Sequence, residues 1–377
     1  MVQAGLEGVV AAETALSLVD GERGELIIAG FSVAELALNA TFEETAYLLW
    51  HGELPDASAL AAFRSDLAQR RGIPATAIDV LAAAAARRAD SMDALRMAAG
   101  ILGTTNDADD ARTLLAAFPT IVAAYWQLRA GRTPIPPRSD LSHAANTLYM
   151  LSGEVPSAER VRGLEAYLNT VVDHGLNAST FTARVIASTG SDLVSAIVGA
   201  IGALKGPLHG GAPGPALDMV FEIGDASRAE PYLRRKIEAG EKLMGFGHRV
   251  YKVRDPRADV LATAAERLFE RGADRSLYEL ARSVEKVALR LLEEYKPGRR
   301  LQTNVEFYTA LLLHGLGLEV PLFTPTFAIS RVAGWIAHAL EQRRANRLIR
   351  PQSVYNGPRD RRWIPIDRRQ PAAARVV

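Results

Sequence analysis

Apolar residues recur every three or four positions along most of this chain, which is the spacing of one buried face of an α-helix. Residues 280–291 show the pattern, with leucine or valine at intervals of three and four. Thr41 and Glu44 have the spacing of a capping box, which starts a helix after the threonine. Only residues 24–33, GELIIAGFSV, form a β-rich run between glycines and predict a strand. The pattern predicts an all-α protein of about fifteen to twenty helices, if helices average about 11–12 residues.

Proline and serine residues predict where individual helices stop and start. Pro119 lies inside a helical run and predicts a break or kink there. Ser139 is predicted to cap the next helix. The last strong helices are predicted at residues 303–316 and 326–343. The arginine- and proline-rich tail from Pro351 has no helical period, so we expect an irregular segment.

Composition and charge narrow the class of protein. A length of 377 residues predicts more than one domain, and a hydrophobic share of 48% is ordinary for a globular protein. The net charge of +1 does not favour nucleic acid or an anionic membrane as a partner. The absence of cysteine excludes disulfides and thiolate nucleophiles and fits a reducing cytoplasm. No apolar run reaches about 18 residues and the N-terminus lacks a basic signal region, so we expect a cytoplasmic protein without a membrane span.

Seven histidines are available for chemistry, and their surroundings differ. His51 and His143 lie within amphipathic helices and are interpreted as structural, whereas His314 and His338 could serve either purpose. The other three lie where the chain leaves helix next to glycine, which is where binding residues concentrate: His174, His209 and His248. Without cysteine and without HExxH spacing they favour acid–base or hydrogen-bonding work, and a three-histidine metal site stays open as the alternative.

Residues 245–257, GFGHRVYKVRDPR, combine one histidine with four cations beside two glycines. Arginine binds carboxylates through two parallel hydrogen bonds, and histidine can donate a proton or hydrogen bond to a carbonyl. The stretch therefore suits an anionic carbonyl substrate. The alternative is a solvated basic loop, because most charge runs line solvated faces.

Two further charged residues stand in apolar surroundings. Glu306 follows Asn304 at a predicted helix start. It is either a charge favoured by the helix dipole or a desolvated base with a raised pKa. Arg331 opens a very apolar helix, so it needs an anionic partner if it is buried.

Five motifs resemble those of the citrate synthase family, in that family's order: PLHGG, GFGHRVYKVRDPR, NVEFY, SRVAGWIAH and IRP. The opening GLEGVVAAETALSLVDG and the run TFEETAYLLWHGELP are similar to its shorter bacterial and archaeal form. The resemblance spans about residues 5–357, essentially the whole chain. It implies a large helical domain, placed at residues 1–210 and 318–377, and a smaller helical lid domain, placed at residues 211–317.

The same resemblance implies a role for each matching residue. His209 resembles the histidine that stabilises the enol of acetyl-CoA, and His248 resembles the one that polarises the ketone of oxaloacetate. Glu306 stands where the family usually has the aspartate that removes the acetyl methyl proton. The implied oxaloacetate-binding residues are His174, Asn177, Arg257, Arg331 and Arg350, and the implied CoA-binding residues are Arg249, Lys252 and Arg254.

The implied function is that of a citrate synthase of the tricarboxylic acid cycle, an acyltransferase that condenses acetyl-CoA with oxaloacetate and hydrolyses the thioester to citrate and CoA. The resemblance implies a homodimer in which Arg350 serves the other subunit's site. It also implies that the CoA thioester is a substrate and that no metal or redox cofactor takes part. One alternative is 2-methylcitrate synthase, since one extra methylene in propionyl-CoA changes discrimination by only about 1–3 kcal/mol. The other is a catalytically reduced paralogue that binds CoA or oxaloacetate, for which Glu306 is the only support.

Overall fold

The computed structural model describes residues 3–104, 106–210, 213–248, 250–271 and 275–369. Within these ranges the predicted helical class is confirmed, with sixteen α-helices and one sheet of three strands. All of them lie in one unit, Thr14–Leu348, and the chain ends, Met1–Glu13 and Ile349–Val377, form another. The strands are β1 (Ser17–Asp20), β2 (Glu25–Ile28) and β3 (Phe31–Ser32). The helices are α1 (Val33–Asn39), α2 (Phe42–His51), α3 (Ala57–Gln69), α4 (Ala75–Ala86), α5 (Ser91–Ala99), α6 (Asp107–Arg129), α7 (His143–Ser152), α8 (Ala158–Val171), α9 (Ala178–Ser188), α10 (Leu193–Leu204), α11 (Pro213–Ile223), α12 (Ala226–Glu238), α13 (Pro256–Arg271), α14 (Arg275–Tyr295), α15 (Val305–Gly315) and α16 (Phe323–Arg344).

The small sheet contains the predicted strand of residues 24–33 in two pieces. β2 pairs antiparallel with β1 on one side and with β3 on the other. Between β2 and β3, Ala29 and Gly30 have φ angles of 45° and 91°. This left-handed backbone turns the chain and ends β2. Leu26 and Ile28 are buried on the core side of β2.

The predicted capping box and the last two predicted helices are confirmed. The Thr41 hydroxyl accepts from the backbone N–H of Glu44, and the Glu44 carboxylate accepts from the backbone N–H of Thr41 at 2.8 Å. Gly52, with φ of 86°, ends the helix in the left-handed region that glycine adopts most easily. The helices predicted at residues 303–316 and 326–343 are α15 and α16.

Two expectations about the middle of the chain were wrong. The predicted break at Pro119 is absent, because α6 continues through the proline in a stretch whose side chains are nearly all buried. The cap of α7 is Ser142 and not Ser139. The backbone N–H of His143 donates to the buried Glu43 carboxylate at 2.9 Å, so a contact across 100 residues helps to fix this helix start.

The predicted interruption at His174 is present between α8 and α9. Gly175 has φ of 58°, which takes the chain out of helix. Asn177 then caps α9, its side-chain oxygen accepting from the backbone N–H of Thr180 at 3.1 Å. The turn holds His174 at the end of one core helix and the start of another.

Helix α16 is largely buried and packs against α8 and α9, the helices on either side of His174. At Gly334 a Cβ would lie 2.3 Å from the carbonyl oxygen of Val172, so only glycine allows α16 to pack against the chain before His174. The sequence also predicts close helix packing at Gly199, Gly202 and Gly206. Gly206 lies just beyond the end of α10, and a Cβ there would meet only the carbonyl oxygen of Ala203, at 3.2 Å. At Gly199 a Cβ would lie 2.3 Å from Ile186 Cδ1 of α9, whereas nothing lies within 4 Å of one at Gly202.

The unit formed by the chain ends has little regular structure, as predicted for the tail. Its described residues contain two 3₁₀ turns, Ala4–Leu6 and Ile366–Arg368. Large apolar side chains are exposed in it, among them Val354, Trp363 and Ile366.

No single helix in the described ranges is long and apolar enough to cross a membrane. Together, α15 and α16 reach the required length and hydropathy, but they are bent by 115° at the break between them.

Candidate active site

Two segments that lie far apart in the sequence pair where the candidate residues meet. The backbone N–H of Asn304 donates to the carbonyl of Gly245 at 2.9 Å, and the Asn304 side chain donates to the carbonyl of Gly247 at 2.8 Å. His248 follows directly on one segment, and Glu306 lies in the first turn of α15 on the other. The pairing therefore fixes the segment of the candidate electrophile against that of the candidate base.

His248 is held in one tautomer by its own loop. Its Nδ1 accepts hydrogen bonds from the backbone N–H groups of Val250 and Tyr251, both at 3.0 Å. Burial, and next the charge of Arg257, lower the pKa of His248 to about 4, so the ring is neutral at pH 7 and carries its proton on Nε2. Nε2 lies 3.3 Å from Arg257 Nη2. Since both atoms are then donors, the space beside them suits an oxygen acceptor.

Arg257 is buried and oriented by Asp255. Its Nε and Nη2 donate to the two carboxylate oxygens of Asp255 at 3.0 and 2.8 Å. Such a two-point contact fixes the plane of the guanidinium group. The pair holds Arg257 beside His248 without using all of its donors.

His174 lies beside the same loop. Its Nε2 is 3.1 Å from the Tyr251 hydroxyl, and its ring centroid is 6.1 Å from that of His248. Burial, and then the charges of Arg257 and Arg331, hold the pKa of His174 well below its usual value. This neutral imidazole can offer one hydrogen bond to a ligand.

Arg331 is a buried cation with one donor atom that the described residues of the chain do not satisfy. It is 1% exposed on α16, and its Nε donates to the carbonyl of Val171 at 2.8 Å. Its Nη1 is buried and has no hydrogen-bond partner in the described part of the chain. Burial lowers the pKa of Arg331 to about 10, with Asp173 opposing the shift and Arg257 adding to it. Two buried guanidinium groups that disfavour each other's charge are stabilised by a bound dicarboxylate.

His209 is held by α9 and α16. Its Nε2 accepts from the backbone N–H of Ser179 at 3.3 Å and lies 2.8 Å from the Ser179 hydroxyl. That hydroxyl in turn accepts from Trp335 Nε1 at 3.1 Å. Burial, followed by the charge of Arg331, lowers the pKa of His209 to about 4. The neutral ring therefore carries its proton on Nδ1, where it can donate to a substrate oxygen.

Asn177 uses its side chain within the chain itself. Its amide nitrogen donates to the carbonyl of Gly175 at 3.1 Å and to the Thr180 hydroxyl at 2.8 Å. Its oxygen caps α9 and lies 2.8 Å from the Ser179 hydroxyl oxygen. These contacts organise the turn between His174 and the serine that holds His209.

Glu306 is partly buried in the first turn of α15. The carboxylate has no hydrogen-bond partner among the described residues. Burial raises the pKa of Glu306, with Arg257 opposing the shift and Asp255 adding to it. A desolvated carboxylate with a raised pKa is a stronger base than an exposed one.

The predicted CoA-binding cations have different surroundings. Lys252 is exposed, and its backbone N–H donates to the carbonyl of Gly21 at 2.9 Å. Arg254 instead donates to the carboxylates of Asp259 and Glu285. Arg249 lies outside the described residues. Arg350 lies in the unit of the chain ends, in irregular backbone.

The structure also tests the residues set aside in the sequence. His338 is fully buried between Asp173, at 3.1 Å, and Arg184, at 3.0 Å, in a polar network behind His174. Within the described ranges, no group of three or more histidine, aspartate or glutamate side chains is arranged to hold a metal ion.

The comparison with known proteins decides the family. A family model described as Citrate synthase, C-terminal domain, matches residues 5–352. The chain belongs to the citrate synthase family. It is 42% identical over 375 residues to citrate synthase 2 of Bacillus subtilis, covering 97% of this chain and 98% of that protein. It is 40% identical over 374 residues to the 2-methylcitrate synthase of Shewanella oneidensis, with 97% and 98% covered.

Solved structures of the citrate synthase family share the fold. Citrate synthase from Thermotoga maritima gives a TM-score of 0.86 at 41% identity, covering 98% of this chain and 100% of that one. The ternary complex of citrate synthase from Thermoplasma acidophilum with carboxymethyl coenzyme A and oxaloacetate gives 0.88 at 30% identity, covering 98% and 100%. The resemblance found in the motifs is therefore confirmed, and this citrate synthase family member is an acyltransferase with the helical fold of these relatives.

Sequence reasoning missed the residues that hold the predicted ones. Ser179 and Trp335 fix His209, although they lie 156 positions apart and no local pattern connects them. Asp255 and Tyr251 stand inside the motif of the citrate synthase family, but the motif does not show that they contact Arg257 and the two histidines.

Proposed function

We propose that this protein is a citrate synthase, which condenses acetyl-CoA with oxaloacetate and hydrolyses the thioester to release citrate and CoA. The observation that carries the proposal is the meeting of neutral His248 and buried Arg257 beside the base candidate Glu306. A donor pair for a carbonyl thus lies near a proton acceptor without a partner.

Oxaloacetate has a ketone flanked by carboxylates, and the site offers a matching set of donors. The buried guanidinium groups of Arg257 and Arg331 supply positive charge for the carboxylates. His248 Nε2–H is free to donate to the ketone oxygen, and His174 supplies a further neutral donor. The unpartnered Arg331 Nη1 supports this role, because a buried donor without an acceptor is unfavourable until a ligand binds.

The acyl half of the reaction needs a base and a donor for the enolate oxygen. Glu306 takes a methyl proton from acetyl-CoA, while Nδ1–H of His209 donates to the thioester oxygen that becomes negative. The carbon formed attacks the ketone of oxaloacetate, whose oxygen is polarised by the hydrogen bond from His248 Nε2–H and takes up, through water, the proton that Glu306 removed. Water then cleaves the thioester bond and CoA leaves. Donors placed where negative charge develops usually lower the barrier of such a reaction more than any other single effect.

Closure and assembly form part of the same proposal. Residues 211–317 would close as a lid over the substrates, and the enzyme would act as a cytoplasmic homodimer. Arg350 would reach the other subunit's site, as its IRP motif near the C-terminus supports. Of the two described cations assigned to CoA, Lys252 is the better candidate because it is exposed, whereas the guanidinium group of Arg254 is bonded to Asp259 and Glu285.

A 2-methylcitrate synthase is the second candidate function. Its support is the 40% identity to the 2-methylcitrate synthase of Shewanella oneidensis, close to the 42% identity to citrate synthase 2 of Bacillus subtilis. The two activities use the same chemistry and differ by one methylene in the acyl group. The preference for one acyl-CoA over the other depends on the shape of the acyl pocket. It does not depend on the residues discussed above.

A thiol-release assay with oxaloacetate separates these functions. We expect kcat/KM to be higher for acetyl-CoA than for propionyl-CoA, and the opposite order would support the second candidate. His248→Ala should lower turnover by at least about 10²-fold, as is typical when one acid–base group is lost. His51→Ala is the matched control, because His51 is exposed and stacks on Tyr47. No release with either acyl-CoA, together with retained oxaloacetate binding, would identify the protein as a catalytically reduced paralogue.

A further inference from the structure

One buried carboxylate outside the candidate site contacts the chain segment of His248 and the chain segment of Glu306. Glu285 lies on α14, and its side chain is 6% exposed. Its Oε1 accepts from Arg254 Nη1 at 2.8 Å and from Thr303 Oγ1 at 2.7 Å, and its Oε2 accepts from the Tyr308 hydroxyl at 2.6 Å. Burial alone would raise the pKa of Glu285, but the hydrogen bonds of Tyr308 and Thr303 and the charge of Arg254 hold it below its usual value.

The partners of this carboxylate stand next to the proposed catalytic groups. Arg254 lies in the loop between His248 and Arg257, so its hydrogen bond to Glu285 ties this loop to α14. Thr303 lies at the start of the segment that leads into α15 and Glu306. A single charged group therefore bonds to both chain segments, the one that carries the proposed ketone donor and the one that carries the proposed base.

We infer that Glu285 is a positioning residue that sets the distance between His248 and Glu306. The inference rests on the proposed function and assigns Arg254 to the same task instead of CoA binding. Catalytic groups must be held within about 0.5 Å of their working geometry. A displacement of about 1 Å can cost about 10²-fold in rate. Among the described residues, the hydrogen bonds of Asn304 join the two segments at Gly245 and Gly247, and Glu285 adds a second point of attachment.

Glu285→Gln keeps the volume of the side chain and removes its charge, and Thr303→Val removes one of its partners. In both variants we expect kcat to fall by about 10-fold or more, because the base is displaced from the methyl group. The primary isotope effect with methyl-deuterated acyl-CoA should rise, since proton removal becomes the slow step. A purely structural role would lower Tm and leave the isotope effect unchanged. Glu294→Gln is the matched control, because Glu294 also lies on α14 and pairs with Arg234 at the surface.

Two comparisons decide the outcome. Thr303→Ser keeps the hydroxyl and should recover most of the turnover that Thr303→Val loses, which decides the question even if Glu285→Gln fails to fold. If the wild type is active and Thr303→Val has the same kcat and the same isotope effect, this inference is overturned and the proposed function stays intact. A wild type that releases no thiol from either acyl-CoA would overturn both.

Discussion

Glu306→Asp tests whether the site is built for the longer carboxylate that this chain carries. The change withdraws the carboxylate by about 1.5 Å, the length of one C–C bond. The start of α15 cannot advance to compensate, because Asn304 is bonded to the carbonyls of Gly245 and Gly247 at 2.9 and 2.8 Å. Phe307 also lies so close to Gly245 that a Cβ there would be 2.9 Å from the Phe307 Cβ.

A misplacement of about 1 Å can cost about 10²-fold in rate, so we expect kcat to fall by about that factor. Tenfold in rate corresponds to about 1.4 kcal/mol, so the barrier rises by about 2.7 kcal/mol. The assay is thiol release at saturating oxaloacetate, with Glu306→Gln as the reference that lacks a base but still binds oxaloacetate. If Glu306→Asp raised acetyl-CoA turnover tenfold or more, the reasoning would be refuted. The native protein would then be a weakened or repurposed synthase.

Two buried charged residues and the proposed role of Arg350 give three further predictions. Arg331→Met should raise KM for oxaloacetate by about 10²-fold or more, because a carboxylate loses its charged partner. Tm should be kept, because the variant removes a buried charge that has no anion in the free enzyme. A lower Tm with unchanged KM would contradict this. Burial raises the pKa of Glu165 to about 7, with Arg162 opposing the shift, so the folded chain binds this proton more tightly than the unfolded chain. Between pH 5 and pH 8 the free energy of unfolding of the wild type, measured in urea, should therefore fall by about 2 kcal/mol relative to that of Glu165→Gln. The same pH dependence in both proteins would exclude a raised pKa of Glu165. Mixing inactive Arg350→Ala and His248→Ala chains should restore part of the activity, and no recovery after verified subunit exchange would place Arg350 in cis.

The candidate site residues could be named from the sequence, but the residues that hold them in place could not. His174, His209 and His248 each stand beside a glycine that interrupts helix, which is a local signal. The partners of His209 belong to other helices, and no local pattern encodes such contacts. A run of charged residues likewise does not show which of its members form ion pairs, as Arg254 does with Glu285.

Fold predictions failed where tertiary contacts override local preference. Pro119 disrupts an isolated helix, yet α6 continues through it in a buried stretch. Ser139 and Ser142 are equally good caps by residue type, and the contact between Glu43 and His143 favours the later start. The sequence predicted β structure at residues 24–33, but it did not predict the left-handed turn that divides this stretch into two strands.

The most direct test of the proposed chemistry is ¹³C NMR of the product formed from methyl-labelled acetyl-CoA and oxaloacetate. The wild type should convert the labelled methyl into a methylene carbon of citrate, because Glu306 removes a proton and a new carbon–carbon bond forms. Glu306→Gln should leave the label in acetyl-CoA while oxaloacetate still binds. Citrate formation at the wild-type rate by Glu306→Gln, or no labelled citrate from the wild type, would contradict the account.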